Sequence, residues 1–234
     1  KARRRQAGSV ARTVAMGVGL WVVATAMAMP AAAQSLSAAT LLPFDGAFDT
    51  MPTAAAVADA NGDGLSDVLF FATHHTTITD EEDYVAYLYE QQADGTMRRA
   101  MRFSMLPGGQ SRYSSPMGVA FGDLDGDGRA EIVVPDREYD HLVILGRSAD
   151  RYDEIKRLPL PFDFGFSQIL IEDLDSDGIP DIVYQHFTKG FAIYRGLGNL
   201  DYAPPMAVMG HVSKGFLLAD ADGDGVRDLL VATN

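Results

Sequence analysis

Cysteine is absent from this 234-residue chain. That excludes disulfide frameworks, thiolate nucleophiles, cysteine-based zinc sites and a cysteine-linked lipid anchor. Tryptophan is nearly absent as well, its one copy being Trp21, inside the first 33 residues. Positive charge is scarce: 19 Lys and Arg stand against 32 Asp and Glu, and Lys1, Arg3, Arg4, Arg5 and Arg12 all precede residue 34, where no acid occurs. From Gln34 onward 14 basic residues face 32 acidic ones, a net charge of -18. A field of that sign repels nucleic-acid phosphates and anionic membrane surfaces and attracts cations. With 47% hydrophobic and 22% charged residues, the chain is neither disordered nor collagen-like, and it has room for one or two domains with a core.

Long apolar runs are also missing, with one exception. Thr13–Met29 follows the basic residues 1–12 and leads into Pro30-Ala31-Ala32-Ala33-Gln34, the small-residue pattern that signal peptidase accepts. Residues 1–33 therefore read as a secretory signal peptide cut after Ala33. An uncleaved anchor is the alternative, at the short limit for a bilayer span. No other segment is long enough to span a bilayer after signal removal. Because the first residue is Lys, the natural start is expected upstream.

What the chain does have is one pattern, four times. Residues 59–67, 123–131, 173–181 and 220–228 align without gaps as D-x-[DN]-x-D-G-x-x-[DE] and hold 15 of the 32 acids. A single such window reads equally well as an Asp/Gly-rich turn; four in register do not. The spacing has a chemical reason. A hard cation such as calcium takes six to eight oxygens at roughly 2.3–2.6 Å, and alternate side chains on a curled loop can all point inward. Positions 1, 3 and 5 (Asp59, Asn61, Asp63; Asp123, Asp125, Asp127; Asp173, Asp175, Asp177; Asp220, Asp222, Asp224) supply side-chain ligands. Position 7 (Leu65, Arg129, Ile179, Val226) supplies a carbonyl, so its residue type is free, and position 9 (Asp67, Glu131, Asp181, Asp228) closes the cage. Glycine at position 6 allows a positive φ. One calcium ion per loop, up to four, is the expected cofactor.

The flanks decide between loop families. An EF-hand needs a bidentate Glu at position 12 and helices on both sides; position 12 is Phe70, Val134, Tyr184 or Val231. Dockerin-type loops also lead into helices, whereas these run into the strand-like Val68–Phe71, Ile132–Val134, Ile182–Tyr184 and Leu229–Val231. Short apolar runs precede each loop at Ala56–Ala58, Val119–Phe121, Ile169–Ile171 and Phe216–Leu218. Two further strands are expected after the first three pairs: Tyr84–Tyr89 and Arg99–Phe103, His141–Leu145 and Tyr152–Leu158, Phe191–Tyr194 and Tyr202–Val208. First aspartates 64, 50 and 47 residues apart, with four antiparallel strands per repeat, predict an all-β fold of β-propeller blades.

These loops and flanks resemble the FG-GAP/VCBS repeats of bacterial secreted proteins, which occur in related form in the β-propeller of integrin α subunits. Phe121-Gly122 matches the "FG" element, while the "GAP" element is missing from all four repeats. Integrin-type ligand recognition is therefore not carried over. Asn61 and Glu131 depart mildly from the pattern. The resemblance implies calcium binding, a place outside the cytoplasm (secreted, periplasmic or cell surface), and a role in adhesion or carbohydrate recognition, with some relatives attached to polysaccharide-degrading enzymes.

The expected organisation is a signal peptide at 1–33, an N-terminal segment at 34–53 with a closing strand, and repeats at 54–234. Leu41–Asp45 matches the Leu-Pro-Phe-Asp run that ends at Asp163 after an outer strand, so it is placed in the outer position of a blade. Four blades do not close in this count, and a ring of six or seven needs roughly 300 to 350 residues. An incomplete ring that self-associates is the expectation. Opposite the calcium loops the topology gathers His74, His75, the acids at 80–83, Arg112, Tyr113, Arg137, Tyr139, His186 and His211, a candidate ligand surface. No nucleophile elbow, H-E-x-x-H or Gly-rich phosphate loop occurs, and the carboxylates are already used as ligands. The reading is a calcium-stabilised scaffold for an extracellular protein or carbohydrate ligand. The alternative is the propeller portion of a polysaccharide lyase or other carbohydrate-active enzyme whose catalytic residues lie outside this chain.

Overall fold

The apolar runs on either side of each acidic window become paired antiparallel strands in the computed structural model, which describes residues 42, 50–74, 84–104, 118–136, 140–162, 167–186, 188–209, 213–223 and 227–233. The chain divides into two units, Lys1–Gly46 and Ala47–Asn234. In the first only Leu42 is described, and it is buried. The expected signal peptide and the rest of Leu41–Asp45 lie outside the described residues.

All described elements of the second unit are strands. Sheet one runs β1 (Thr50–Ala58), β2 (Asp67–His74), β3 (Tyr84–Gln91) and β4 (Met97–Ser104) in that order. Sheet two repeats it with β5 (Ala120–Gly122), β6 (Glu131–Pro135), β7 (His141–Arg147) and β8 (Tyr152–Pro159). Sheet three has β9 (Ser167–Glu172), β10 (Asp181–His186) and β11 (Gly190–Tyr194); a small hairpin of β12 (Gly196–Gly198) and β13 (Asp201–Tyr202) then intervenes before the outer strand β14 (Met206–Met209). A last pair, β15 (Ser213–Ala219) and β16 (Asp228–Thr233), forms a two-stranded sheet. Every sheet pairing is antiparallel, and all but that of β11 with β14 join strands consecutive in the chain, as in a propeller-like fold.

Burial follows from stacking these sheets face to face. Side chains alternate along a strand, so one strand can serve two interfaces. Ile132 and Val134 of β6 pack with Leu69, Phe71 and Leu88 of sheet one, while Val133 packs with Ile182 and Tyr184 of sheet three. Strands β6 and β10 are buried at every position, which explains their continuous apolar runs, whereas the outer β8 is largely polar and exposed. Phe103 stacks on Tyr152 across the first interface at 5.5 Å, and Phe191 meets Phe216 edge-on across the last at 5.2 Å.

Two expectations need correction. The outer strand of the third repeat is Met206–Met209, not Tyr202–Val208. Pro204 and Pro205 have no N–H for a ladder and break the run. Upstream, Asn199 and Leu200 both take positive φ (53° and 62°), a two-residue turn that folds Gly196–Tyr202 into its own hairpin. His186 does not belong to an exposed loop: it ends β10, is 2% exposed and meets the edge of Phe162. Its Nδ1 accepts the N–H groups of Thr188 and Lys189. Of the other residues assigned to that face, His75, the acids at 80–83, Arg112, Tyr113, Arg137, Tyr139 and His211 lie outside the described residues.

No helix among the described residues is long and apolar enough to cross a membrane.

Candidate metal centres

All four acidic windows join the first strand of a sheet to the second: β1 to β2, β5 to β6, β9 to β10 and β15 to β16. They are numbered loops 1 to 4. Their backbone is held by their own side chains. The first aspartate reaches forward over the loop: Asp59 accepts from Gly62 N (2.8 Å) and Gly64 N (2.7 Å), Asp123 from Gly126 N (2.7 Å) and Gly128 N (2.9 Å), and Asp173 from Asp177 N (3.1 Å) and Gly178 N (2.9 Å). In loop 4, Asp220 accepts from Gly223 N at 2.6 Å. Position 3 then accepts from the N–H of position 5, at Asn61, Asp125 and Asp175. Position 5 accepts from the N–H of position 7, at Asp63, Asp127 and Asp177. Each step is an Asx-type turn, which alternation of Asp and Asn makes possible.

This ladder needs two left-handed residues per loop. Position 6 has φ near +85° at Gly64, Gly128 and Gly178, as expected. Position 4 does too, at Gly62, Gly126 and Gly223, and in loop 3 that place is taken by Ser176 at φ 62°. The sequence reading passed over position 4, although glycine in three of four copies marked it.

The ninth carboxylate does a second job. Asp67, Glu131, Asp181 and Asp228 each accept the N–H of position 2 at 2.8–2.9 Å, closing the loop at its base. The other oxygen of Asp67 accepts from Gln91 N, at the end of β3, and that of Asp181 from Gly196 N, at the start of β12, so each loop base is tied to its sheet beyond the first two strands. Asp67, Glu131 and Asp181 are at most 4% exposed. Burial raises all three carboxyls, against the lowering effect of their N–H partners, and Glu131 is pushed up to about 7, with Asp125, Asp123 and Asp127 adding to the rise. Asp59 goes the other way. Slight burial opposes its charge, but four backbone N–H groups aimed at it hold it below the usual range.

Carboxylate oxygens converge in three trios, each within 4.8 Å: Asp123, Asp125 and Asp127; Asp173, Asp175 and Asp181; Asp220, Asp222 and Asp228. Oxygens on a calcium sphere of radius ~2.4 Å are at most about 4.8 Å apart, so these trios fit one ion apiece. Loop 1 forms no such acidic trio and has Asn61 at the third position. Asp224 and Val226 lie outside the described residues. The donor set is entirely oxygen, the chemistry of a hard cation.

A fourth cluster sits at the opposite end of sheet two. His141 Nδ1 lies 2.6 Å from Asp140 Oδ1, and Arg157 reaches the buried Asp136 at 3.2 Å and Glu154 at 2.7 Å. A guanidinium already balances the charge of Asp136, which makes this group a tie between strand ends. It lies on the side opposite the loops and shares no residue with them.

The model of a family described as FG-GAP-like repeat matches residues 59–134 and 173–231. Among solved structures, the chain is similar to the exotype rhamnogalacturonan lyase YesX, with a TM-score of 0.53 and 16% identity. The alignment covers 78% of this chain and 39% of the lyase, so the chain spans about two fifths of that structure's length. No curated protein matches.

Proposed function

The chain belongs to the FG-GAP-like repeat family, and on that premise we propose that it is a secreted, calcium-stabilised β-propeller serving as an adhesion or ligand-binding scaffold. Calcium would be held by the side-chain oxygens of positions 1, 3, 5 and 9 and by the carbonyls of Leu65, Arg129, Ile179 and Val226. The observation that carries this reading is the recurrence of one hydrogen-bond ladder in loops 1, 2 and 3. Turns need no such concentration of charge. In loops 2 and 3 three carboxylates crowd together, and burial, with that crowding added, raises Glu131 and Asp181. A divalent ion supplies the compensating charge, so its role is structural. Three four-stranded sheets and the β15–β16 pair, one to each acidic window, support about four blades of a propeller in this chain. The partner is an extracellular protein or carbohydrate.

Thermal melts test the cation. Extracellular calcium modules bind at roughly 10⁻⁴ to 10⁻³ M, so a few millimolar calcium contributes about 1–2 kcal/mol per loop. The melting temperature is expected to rise by several degrees over the chelated protein, and Asp177→Ala should reduce that rise. A melt indifferent to calcium would overturn the reading.

The likeness to a rhamnogalacturonan lyase favours a second reading, in which this chain is the propeller portion of a polysaccharide-cleaving enzyme. No cleavage is expected from this segment alone. Turnover of rhamnogalacturonan by the purified chain would establish catalysis within it.

A further inference from the structure

Neighbouring loops touch, and they do so unequally. The N–H of Ala130, position 8 of loop 2, donates to the carbonyl of Asp59, position 1 of loop 1, at 3.1 Å. Asp59 thus offers its side chain to its own loop and its main chain to the next. A Cβ placed on Gly62 would lie 3.0 Å from the carbonyl oxygen of Gly128, so the two loops are in direct backbone contact. Sheet two reinforces the join. Arg147 donates to Ala60 O at 2.8 Å and pairs with the buried Glu90 of sheet one at 2.7 Å, while Tyr152 donates its hydroxyl to Ala130 O at 3.2 Å. Ala60 and Ala130 are both fully buried.

Among the described residues the other junctions show no such bond. Position 8 of loop 3 is Pro180, which has no N–H to donate. Position 8 of loop 4 is Arg227, whose side chain pairs with Glu172 at 2.9 Å, with both side chains substantially exposed. Exposed pairs of that kind contribute little.

We infer that loops 1 and 2 form a coupled cation pair, joined through the Ala130–Asp59 backbone hydrogen bond, while loop 3 binds independently of loop 2. The inference rests on the cation reading above. Ala130 is bracketed by two loop 2 contacts: Arg129 N donates to Asp127 Oδ1, and the Glu131 carboxylate holds Leu124 N. An ion that fixes Asp127 and Glu131 therefore fixes the direction of the Ala130 N–H. That in turn orders the main chain of Asp59, the first ligand of loop 1. Ordering paid for once by the first ion is not required again of the second, which is positive coupling without any large change of shape. By reciprocity, loop 1 must favour loop 2 by the same factor. One hydrogen bond sets the scale at roughly two- to tenfold in affinity.

Each loop carries its own reporter, because the glycine N–H at position 6 donates to the first aspartate: Gly64, Gly128 and Gly178. Calcium titration of the full chain with ¹⁵N-glycine, followed by NMR, reads the three separately. In the unaltered protein Gly64 and Gly128 are expected to move together with a steeper than single-site curve, and Gly178 independently. Ala130→Pro removes the donor by copying what loop 3 already has. It should separate the two curves, raising the Gly64 midpoint about two- to tenfold and leaving Gly178 in place. Tyr152→Phe, which removes only the hydroxyl on Ala130 O, should shift Gly64 in the same direction by less and serves if the proline variant fails to fold. Unchanged Gly64 and Gly128 midpoints in a folded variant would overturn the coupling while leaving the cation reading intact. No calcium response at any of the three glycines would overturn both.

Discussion

Between the first and second sheets 14 buried side chains form one cluster, while between the third sheet and the β15–β16 hairpin there are three, among the described residues. Both places carry the same acidic motif on the same strand pair. The hairpin holds Phe216 against Val183 and Phe191, yet it leaves Leu217, Leu230 and Val231 between 37% and 51% exposed. The motif makes a loop locally, through turns that need only neighbouring residues. Rigidity comes from what the two strands are packed against, which the motif does not encode.

The most direct way to break that contrast is to empty both interfaces. Phe71→Ala removes a ring 1% exposed in the first interface and is expected to cost about 3–5 kcal/mol of global stability in urea unfolding. Phe216→Ala, at the shallow interface, should cost on the order of 2 kcal/mol or less. Hydrogen exchange should then show lost protection confined to residues 213–233. Equal global losses would dissolve the distinction.

Acidity sharpens it further, because the buried ninth carboxylate belongs to the well-packed loops. Glu131 has an ordinary value of 4.5 and is raised to about 7 in the fold. Between those values the folded protein holds a proton the unfolded chain has released, so stability falls as pH rises through that window. The chelated protein should lose up to about 3 kcal/mol between pH 4.5 and 7, with Asp67 and Asp181 shifting in the same sense. Glu131→Gln should flatten the profile in pH-dependent denaturation, and calcium should do likewise.

The smallest effect concerns loop 3 alone. Ser176 occupies a left-handed conformation that glycine fills in the other loops. Ser176→Gly should add about 1 kcal/mol, whereas Gly126→Ala should subtract a similar amount, both read from melting temperature. A Ser176→Gly variant less stable than the parent would mean that the serine hydroxyl has a role the turn does not require.

Much of this architecture was legible because it is local. The acidic windows and the two strands around each depend on residues a few places apart, and the strands of sheets one and two appear within two residues of their expected ends except β1, which starts six residues earlier, and β2, which ends three later. What escaped depends on distant partners. His186 looked like loop polarity, but Phe162, 24 positions earlier, covers it. Arg147 sits in a turn-like Gly-Arg-Ser sequence, and nothing in that sequence marks its partners Glu90 and Ala60 in another sheet. The β12–β13 hairpin had a signal in Gly-Asn-Leu and Pro-Pro, yet its pieces are so short that only one strand, Tyr202–Val208, was expected there.

Outer strands β4 and β8 share an irregularity that was not anticipated. Each carries one extra residue, Ala100 and Ile155, where pairing with the third strand slips by one. Such bulges twist a strand away from a flat edge, and Arg98, Arg99 and Arg102 or Lys156 and Arg157 line these two. A foreign strand therefore finds no regular, uncharged template on either. The outer strand β14 has neither safeguard: its register is continuous, it carries no charge, and Met206 and Val208 are 57% and 39% exposed. Any tendency of the protein to form aggregates through edge pairing should begin at Met206–Met209, and a lysine at position 206 is the substitution that would blunt it.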